Sequence, residues 1–240
     1  MKAVILAAGR GSRMKGLTES LPKCMVKLHG KPLLGWQIEA LAQAGVSDIA
    51  VVGGYRKEEL IYPGITQRFE NARWSETNMV CSLMEAASWL KAGPCIVSYG
   101  DIFYDSGAVT LLAACNADIA LTYDVNFAEL WQARSANPLD DLETFKVDEA
   151  GKLLTIGEKP KTMHEIDGQY MGLLRFTPQG WSHIEQLLAS LPAAAVDKMD
   201  MTTLLRRLLE RGIPIQALPF SGQWGEVDNE SDLALYAAQR

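Results

Sequence analysis

The segment Val4-Ile5-Leu6-Ala7-Ala8-Gly9-Arg10-Gly11-Ser12-Arg13-Met14 does most to restrict what this chain can become. An apolar run too short for a helix gives way at once to small residues, glycines and cations. It therefore reads as a buried strand opening into a loop. Gly9 and Gly11 can take positive φ and let the backbone come close to a ligand. Successive amides in such a loop form a concave donor surface for phosphate oxygens. Arg10 and Arg13 add forked guanidinium groups, and Pro22-Lys23 brings a point charge to the same end of the strand. Gly9-x-Gly11-x-x-Met14 lacks the third glycine of a dinucleotide fingerprint, and no Gly-Lys-Ser/Thr supplies a P-loop. The second apolar strand, Ile49-Ala50-Val51-Val52, ends in Gly53-Gly54-Tyr55 rather than in an acidic residue. An ordinary strand-to-helix turn with surface arginines is the bland alternative. Two glycines and three cations behind one strand argue against it.

The rest of the chain supports an α/β reading. Strand 3–7 is followed by a helix over about 32–44, with Pro32 at its start and Gly45 at its end. Strands at 48–53 and 65–70, a helix at 79–91, strand 95–99, a helix at 106–115 and strand 117–123 come next. Such alternation predicts a three-layer, mainly parallel, Rossmann-like sheet with helices on both faces. In such sheets ligands sit beyond the carboxyl ends of the strands. Gly9, Gly53 and the Gly100-Asp101 pair fall at those ends and are expected to line one crevice. From 124 the chain turns polar and irregular, then gives short strands at 143–147, 152–157 and 169–176. We read 124–176 as a small β-rich insertion on the acceptor side of one domain spanning 1–240. Helices at 178–191 and 201–211, a strand at 214–218 and a helix from about 229 complete it, with Ala193-Ala194-Ala195 a loop or helix end.

Composition removes several function classes. The net charge of −6 over 240 residues, without a basic stripe, argues against nucleic acid as a partner. No apolar run reaches the roughly 18 residues of a membrane span, and the first strand is too short for a signal h-region. Cys24, Cys81, Cys95 and Cys115 lack Cys-x-x-Cys spacing and sit mostly among apolar neighbours, as reduced thiols of a cytoplasmic protein would. The three histidines are scattered, which disfavours zinc.

Leu6-Ala7-Ala8-Gly9-x-Gly11-Ser12-Arg13-Met14 with Leu21-Pro22-Lys23 resembles the signature of the nucleotidyltransferases that make NDP-sugars and CDP-alcohols. The resemblance covers nearly the whole chain. It is closest to the phosphocholine cytidylyltransferase-like branch, through Pro22-Lys23-Cys24-Met25-Val26, Val51-Val52-Gly53-Gly54-Tyr55, Thr77-Asn78-Met79-Val80-Cys81-Ser82-Leu83 and Gln169-Tyr170-Met171-Gly172-Leu173-Leu174. It implies transfer of a nucleotidyl group from an NTP, CTP in that branch, to a small phosphate- or phosphonate-bearing acceptor, with release of pyrophosphate. A sugar-1-phosphate nucleotidyltransferase and a non-catalytic NTP sensor are the alternatives. Thr77-Asn78-Met79 in place of a Glu-Gly-Thr-Ala-Gly-type segment argues for the first reading. Whether the chain forms a homo-oligomer is left open.

The candidate residues follow in part from chemistry and in part from the resemblance. Asp101, preceded by Gly100 at a strand's carboxyl end, suits Mg²⁺ through hard oxygen ligands, or else caps the next helix. Asp228 stands at the mouth of the last helix and would need no role beyond an N-cap. The resemblance implies that the pair holds a catalytic Mg²⁺, with Glu226 a weaker candidate for the same site. It also implies that Lys23 meets the phosphates and acts catalytically with Arg13 and Asp101. The segment carrying Thr77, Asn78 and Ser82 would lie against the base and ribose, with residues 6–13 and Gly100 completing the nucleotide site. In Glu158-Lys159-Pro160 the resemblance puts Lys159 on the acceptor phosphate. Tyr170 and Gly172 offer a wall for the acceptor pocket. Tyr123, Trp131, Trp74 and Trp224 can cage a quaternary ammonium group, with Glu129 and Asp124 as counter-charge.

Overall fold

The computed structural model describes residues 1–134 and 138–238. Its strands are β1 (Lys2–Ala7), β2 (Lys27–Leu28), β3 (Lys31–Pro32), β4 (Asp48–Gly53), β5 (Gln67–Glu70), β6 (Cys95–Tyr99), β7 (Ile102–Tyr104), β8 (Ile119–Asp124), β9 (Phe145–Val147), β10 (Leu153–Ile156), β11 (Gln169–Phe176), β12 (Gln216–Phe220) and β13 (Trp224–Glu226). The helices are α1 (Leu33–Gln43), α2 (Met79–Glu85), α3 (Ala87–Ala92), α4 (Ser106–Ala114), α5 (Phe127–Arg134), α6 (Pro178–Ala189), α7 (Ala193–Asp197), α8 (Met201–Glu210) and α9 (Glu230–Ala238).

Seven strands form the central sheet in the order β12-β8-β11-β6-β1-β4-β5. All pair in parallel except β11, which runs antiparallel to both β6 and β8. The unbroken apolar sequence of β1 suits its central place, since Ala3–Ala7 are buried between β4 and β6. Helices α1 and α4 pack against each other as one layer, and α2, α3, α6 and α8 pack together as another. No helix among the described residues is long and apolar enough to cross a membrane.

Four expectations need correction. Strand 169–176 is not part of an insertion but sits in the central sheet, because Leu173, Leu174 and Phe176 carry enough apolar side chain to be buried on both faces. The excursion between β8 and β11 holds the β9–β10 hairpin and also a helix, α5, in a stretch read as irregular. There Phe127 and Trp131, spaced i,i+4, bury one face. The helix expected over 79–91 is broken at Ala86, and Ala193-Ala194-Ala195, read as a loop or a helix end, opens the short α7. Finally, β7 and β13 pair antiparallel, with Glu226 opposite Ile102. A second apolar cluster, including Met14, Leu33, Phe103, Val227 and Tyr236, underlies this pair and anchors the loop that follows β1.

Candidate active site

After β1 the chain turns through Gly11, whose φ of 68° is the left-handed conformation that favours glycine. The Gly11 carbonyl accepts from the Met14 amide at 3.0 Å and the Thr18 hydroxyl at 3.0 Å, closing a 3-10 turn over Ser12–Thr18. A Cβ on Gly11 would stand only 2.8 Å from the Cβ of Lys23, so the glycine also makes room for the lysine stem. Lys23 is 9% exposed, and its ammonium donates to Oδ2 of Asp101 and to Oδ1 of Asp228, both at 2.7 Å. Arg13, largely exposed, donates to the same Asp228 oxygen at 2.7 Å. Burial pulls the Lys23 ammonium's pKa down, but the two carboxylates more than offset it, so the group stands above the ordinary lysine value and stays charged. The neighbouring Cys24 thiol is pushed up to about 12, first by burial and then by Asp101, and is chemically quiet.

Helix capping does not consume the two aspartates. Asp105 caps α4 by accepting from the Gly107 amide at 2.8 Å. At α9 the Asn229 side chain accepts from the Asp232 amide at 2.9 Å, and Asp232 accepts from the Asn229 amide at 3.3 Å. This reciprocal arrangement leaves the Asp228 carboxylate to the site. Glu226 joins it: oxygens of Asp101, Glu226 and Asp228 all lie within 4.8 Å of one another. Three carboxylates around one point offer hard oxygen ligands of the kind that suit a divalent cation. The pairing of β13 with β7, together with a bond from the Val227 amide to the Asp101 carbonyl at 3.0 Å, brings the three together.

Three adjoining hollows meet there. A compartment of about 300 Å³ is lined by Leu6, Ala7, Gly9, Gly11, Ser12 and Gly100, with Arg13, Lys23 and Asp101 at its charged side. Beside it, a pocket of about 130 Å³ lies between Ala8, Gly9 and Trp74 on one side and Thr77, Asn78 and Ser82 on the other. Asn78 caps α2 by accepting from the Met79 amide at 2.7 Å. Arg10 stands outside these linings: its exposed guanidinium lies 5.6 Å from the Tyr55 ring centre. The third hollow is a cleft of about 380 Å³ that begins at Arg13, Glu226 and Asp228 and runs past Tyr99, Trp131, Tyr170 and Gly172. Met79 borders all three, a role that its apolar side chain gave no reason to expect.

The same cleft is also lined by Asp141, Glu143 and Asp200, which give it a second acidic wall. Burial, reinforced by the charge of Asp200, raises the Glu143 carboxyl above its ordinary pKa. The Tyr99 and Tyr170 hydroxyls are raised well above theirs, chiefly by burial, and remain neutral. Other expected acceptor residues lie elsewhere. Tyr123 is covered by Phe145, with ring centres 5.0 Å apart. Glu129 is exposed on the outer face of α5, and Lys159 donates to the Asp140 carbonyl at 2.5 Å. Asp124 accepts from the Asn126 amide at 2.8 Å, and Trp224 stacks behind Trp131 with its indole N–H on the Met171 carbonyl. The acidic wall comes instead from two distant segments, which no local pattern joins.

The family model for the MobA-like NTP transferase domain matches residues 3–159, and the chain belongs to that family. The chain is thus a nucleotidyltransferase, and its relatives place it in the cytidylyltransferase-like branch. It is 36% identical over 248 aligned positions to the CTP:phosphoglutamine cytidylyltransferase of Campylobacter jejuni, covering 97% of this chain and 98% of that one. A stretch of 62 residues, 26% of this chain and 27% of the relative, is 48% identical to the choline-phosphate cytidylyltransferase of Streptococcus pneumoniae. In fold it matches the inositol-1-phosphate CTP transferase of T. maritima, with a TM-score of 0.79 at 19% identity over 98% of this chain and 93% of the other.

Proposed function

We propose that this enzyme transfers CMP from CTP to a small acceptor that carries a phosphate or phosphonate at one end and an ammonium group at the other, releasing pyrophosphate. The observation that carries the reading is the 380 Å³ cleft, lined both by Arg13 with Glu226 and Asp228 of the carboxylate cluster and by Asp141, Glu143 and Asp200. An anionic acceptor oxygen would meet Arg13 and the cation held by the cluster, and an ammonium group would meet Asp141, Glu143 and Asp200. The acceptors named for the Streptococcus and Campylobacter relatives both carry nitrogen cations, choline phosphate alone and phosphoglutamine beside a carboxylate. Trp131, stacked on Trp224, lines the same cleft.

An acceptor phosphate is already anionic at neutral pH, so the chain needs no general base, and none of its three histidines lines the cleft. Its contribution is positioning and charge stabilisation. Lys23 and Arg13 stand where they can neutralise the departing pyrophosphate, and the loop amides after β1 cradle the phosphates. Asp101, Glu226 and Asp228 would hold Mg²⁺, which when bound supplies Lewis-acid stabilisation of the α-phosphate. The four cysteines are all unpaired, in keeping with a cytoplasmic enzyme working as one catalytic domain.

Pyrophosphate release with each of the four NTPs, Mg²⁺ and a panel of acceptors tests the proposal. CTP with an ammonium-bearing phosphate or phosphonate should give turnover. Turnover confined to sugar 1-phosphates would overturn the acceptor class, and NTP binding without pyrophosphate release would favour a sensor.

A further inference from the structure

Behind the small pocket that holds Ser82 lies a side chain outside every motif considered so far. Asn71 is 2% exposed, and both ends of its amide are engaged. Its Oδ1 accepts from the Arg73 backbone N–H at 3.0 Å. That donor cannot act as an acceptor, so the orientation of the amide is fixed and Nδ2 must face the other way. Nδ2 then donates to the Thr77 hydroxyl at 3.0 Å and to the Ser82 hydroxyl at 3.0 Å. Thr77 passes its own proton to the Arg73 carbonyl at 2.8 Å, so its donor is committed. Ser82 differs: it accepts from Asn71, and no acceptor for its proton is present among the described residues. A hydroxyl otherwise free to donate or accept is thereby biased to donate, at the lining of the 130 Å³ pocket.

We infer that Asn71 is a positioning residue for base selection, holding the Ser82 hydroxyl as a donor to N3 of cytosine. The inference rests on CTP being the nucleotide donor, and it adds how that base is told from uracil. Cytosine offers a bare acceptor at N3, whereas uracil carries a proton there, so a hydroxyl biased to donate favours the first over the second. A contact to O2, which both bases share, would not discriminate.

The test compares CTP, UTP and 3-deaza-CTP, which lacks the N3 acceptor, by direct binding in the presence of Mg²⁺ and by kcat/KM. The wild-type enzyme should bind 3-deaza-CTP about tenfold more weakly than CTP, the worth of one hydrogen bond. Ser82→Ala should erase that gap by weakening CTP alone. Asn71→Asp should lower the CTP-over-UTP ratio at least as far, because a carboxylate would take the Ser82 proton away from the pocket. Equal losses for CTP and UTP in Ser82→Ala, or an unchanged ratio in Asn71→Asp, would overturn the inference. So would equal wild-type affinity for CTP and 3-deaza-CTP, a result independent of how the variants fold. A wild-type enzyme that prefers another NTP would show that the donor assignment itself had failed.

Discussion

The ammonium of Lys23 lies 2.7 Å from a carboxylate oxygen of Asp101 and equally close to one of Asp228, so the acidic cluster is paired with a cation of its own chain. Both pairings are partly shielded, with the lysine side chain 11% exposed.

Lys23→Met should therefore have opposite effects on two ligands. With nucleotide absent, Mn²⁺ binding measured by electron paramagnetic resonance should tighten about tenfold, because an ammonium no longer competes for Asp101 and Asp228. In the assay kcat/KM should fall about 10²–10³-fold, the cost of one lost charge-stabilising donor. Unaltered Mn²⁺ affinity would show that the lysine does not compete for the site.

Asp101→Asn and Asp228→Asn should each lower kcat by three orders of magnitude or so, equivalent to several kcal/mol of barrier. Chelation with EDTA should reduce the wild type to the same level, and added Mg²⁺ should restore the wild type only. Full activity in EDTA would refute the metal reading.

Gly11→Ala should destabilise the fold by about 1–3 kcal/mol, since alanine is strained in the left-handed conformation and its methyl meets the Lys23 stem. Differential scanning calorimetry should show Tm lower by about 2–10 °C for a chain of this size. KM for CTP should rise as well, because the loop and Lys23 move together.

Acceptor binding should depend on pH through Glu143. Its pKa is raised, first by burial and then by Asp200, so the folded protein holds this proton to higher pH than the unfolded chain does. Stability from this group is present at low pH and declines as pH rises from the ordinary carboxylate value through the raised one. Binding of an ammonium-bearing acceptor should change in the opposite sense, strengthening over that window as Glu143 ionises. Glu143→Gln should remove both trends and weaken the acceptor at neutral pH. A pH-independent acceptor KM in the wild type between pH 4.5 and 7 would exclude Glu143 from the contact.

Much of this architecture could be read from local sequence because its causes are local. The apolar run of β1 sets a buried strand, and Gly9 and Gly11 set the turn. The position of Lys23 after Pro22 and the alternation of strands with helices set one crevice at the strand ends. Other features depended on contacts between distant segments. Asp228 was ambiguous between a helix cap and a site ligand until Asn229 and Asp232 were seen to cap α9. Glu226 reaches Asp101 only because β13 pairs with β7, and β11 enters the sheet against the prevailing strand direction. The acidic wall of Asp141, Glu143 and Asp200, and the grip of Asn71 on Ser82, have no signature at any fixed spacing. A strand or turn is fixed by the conformational preferences of neighbouring residues, whereas a binding wall is fixed by which side chains the packed elements bring face to face.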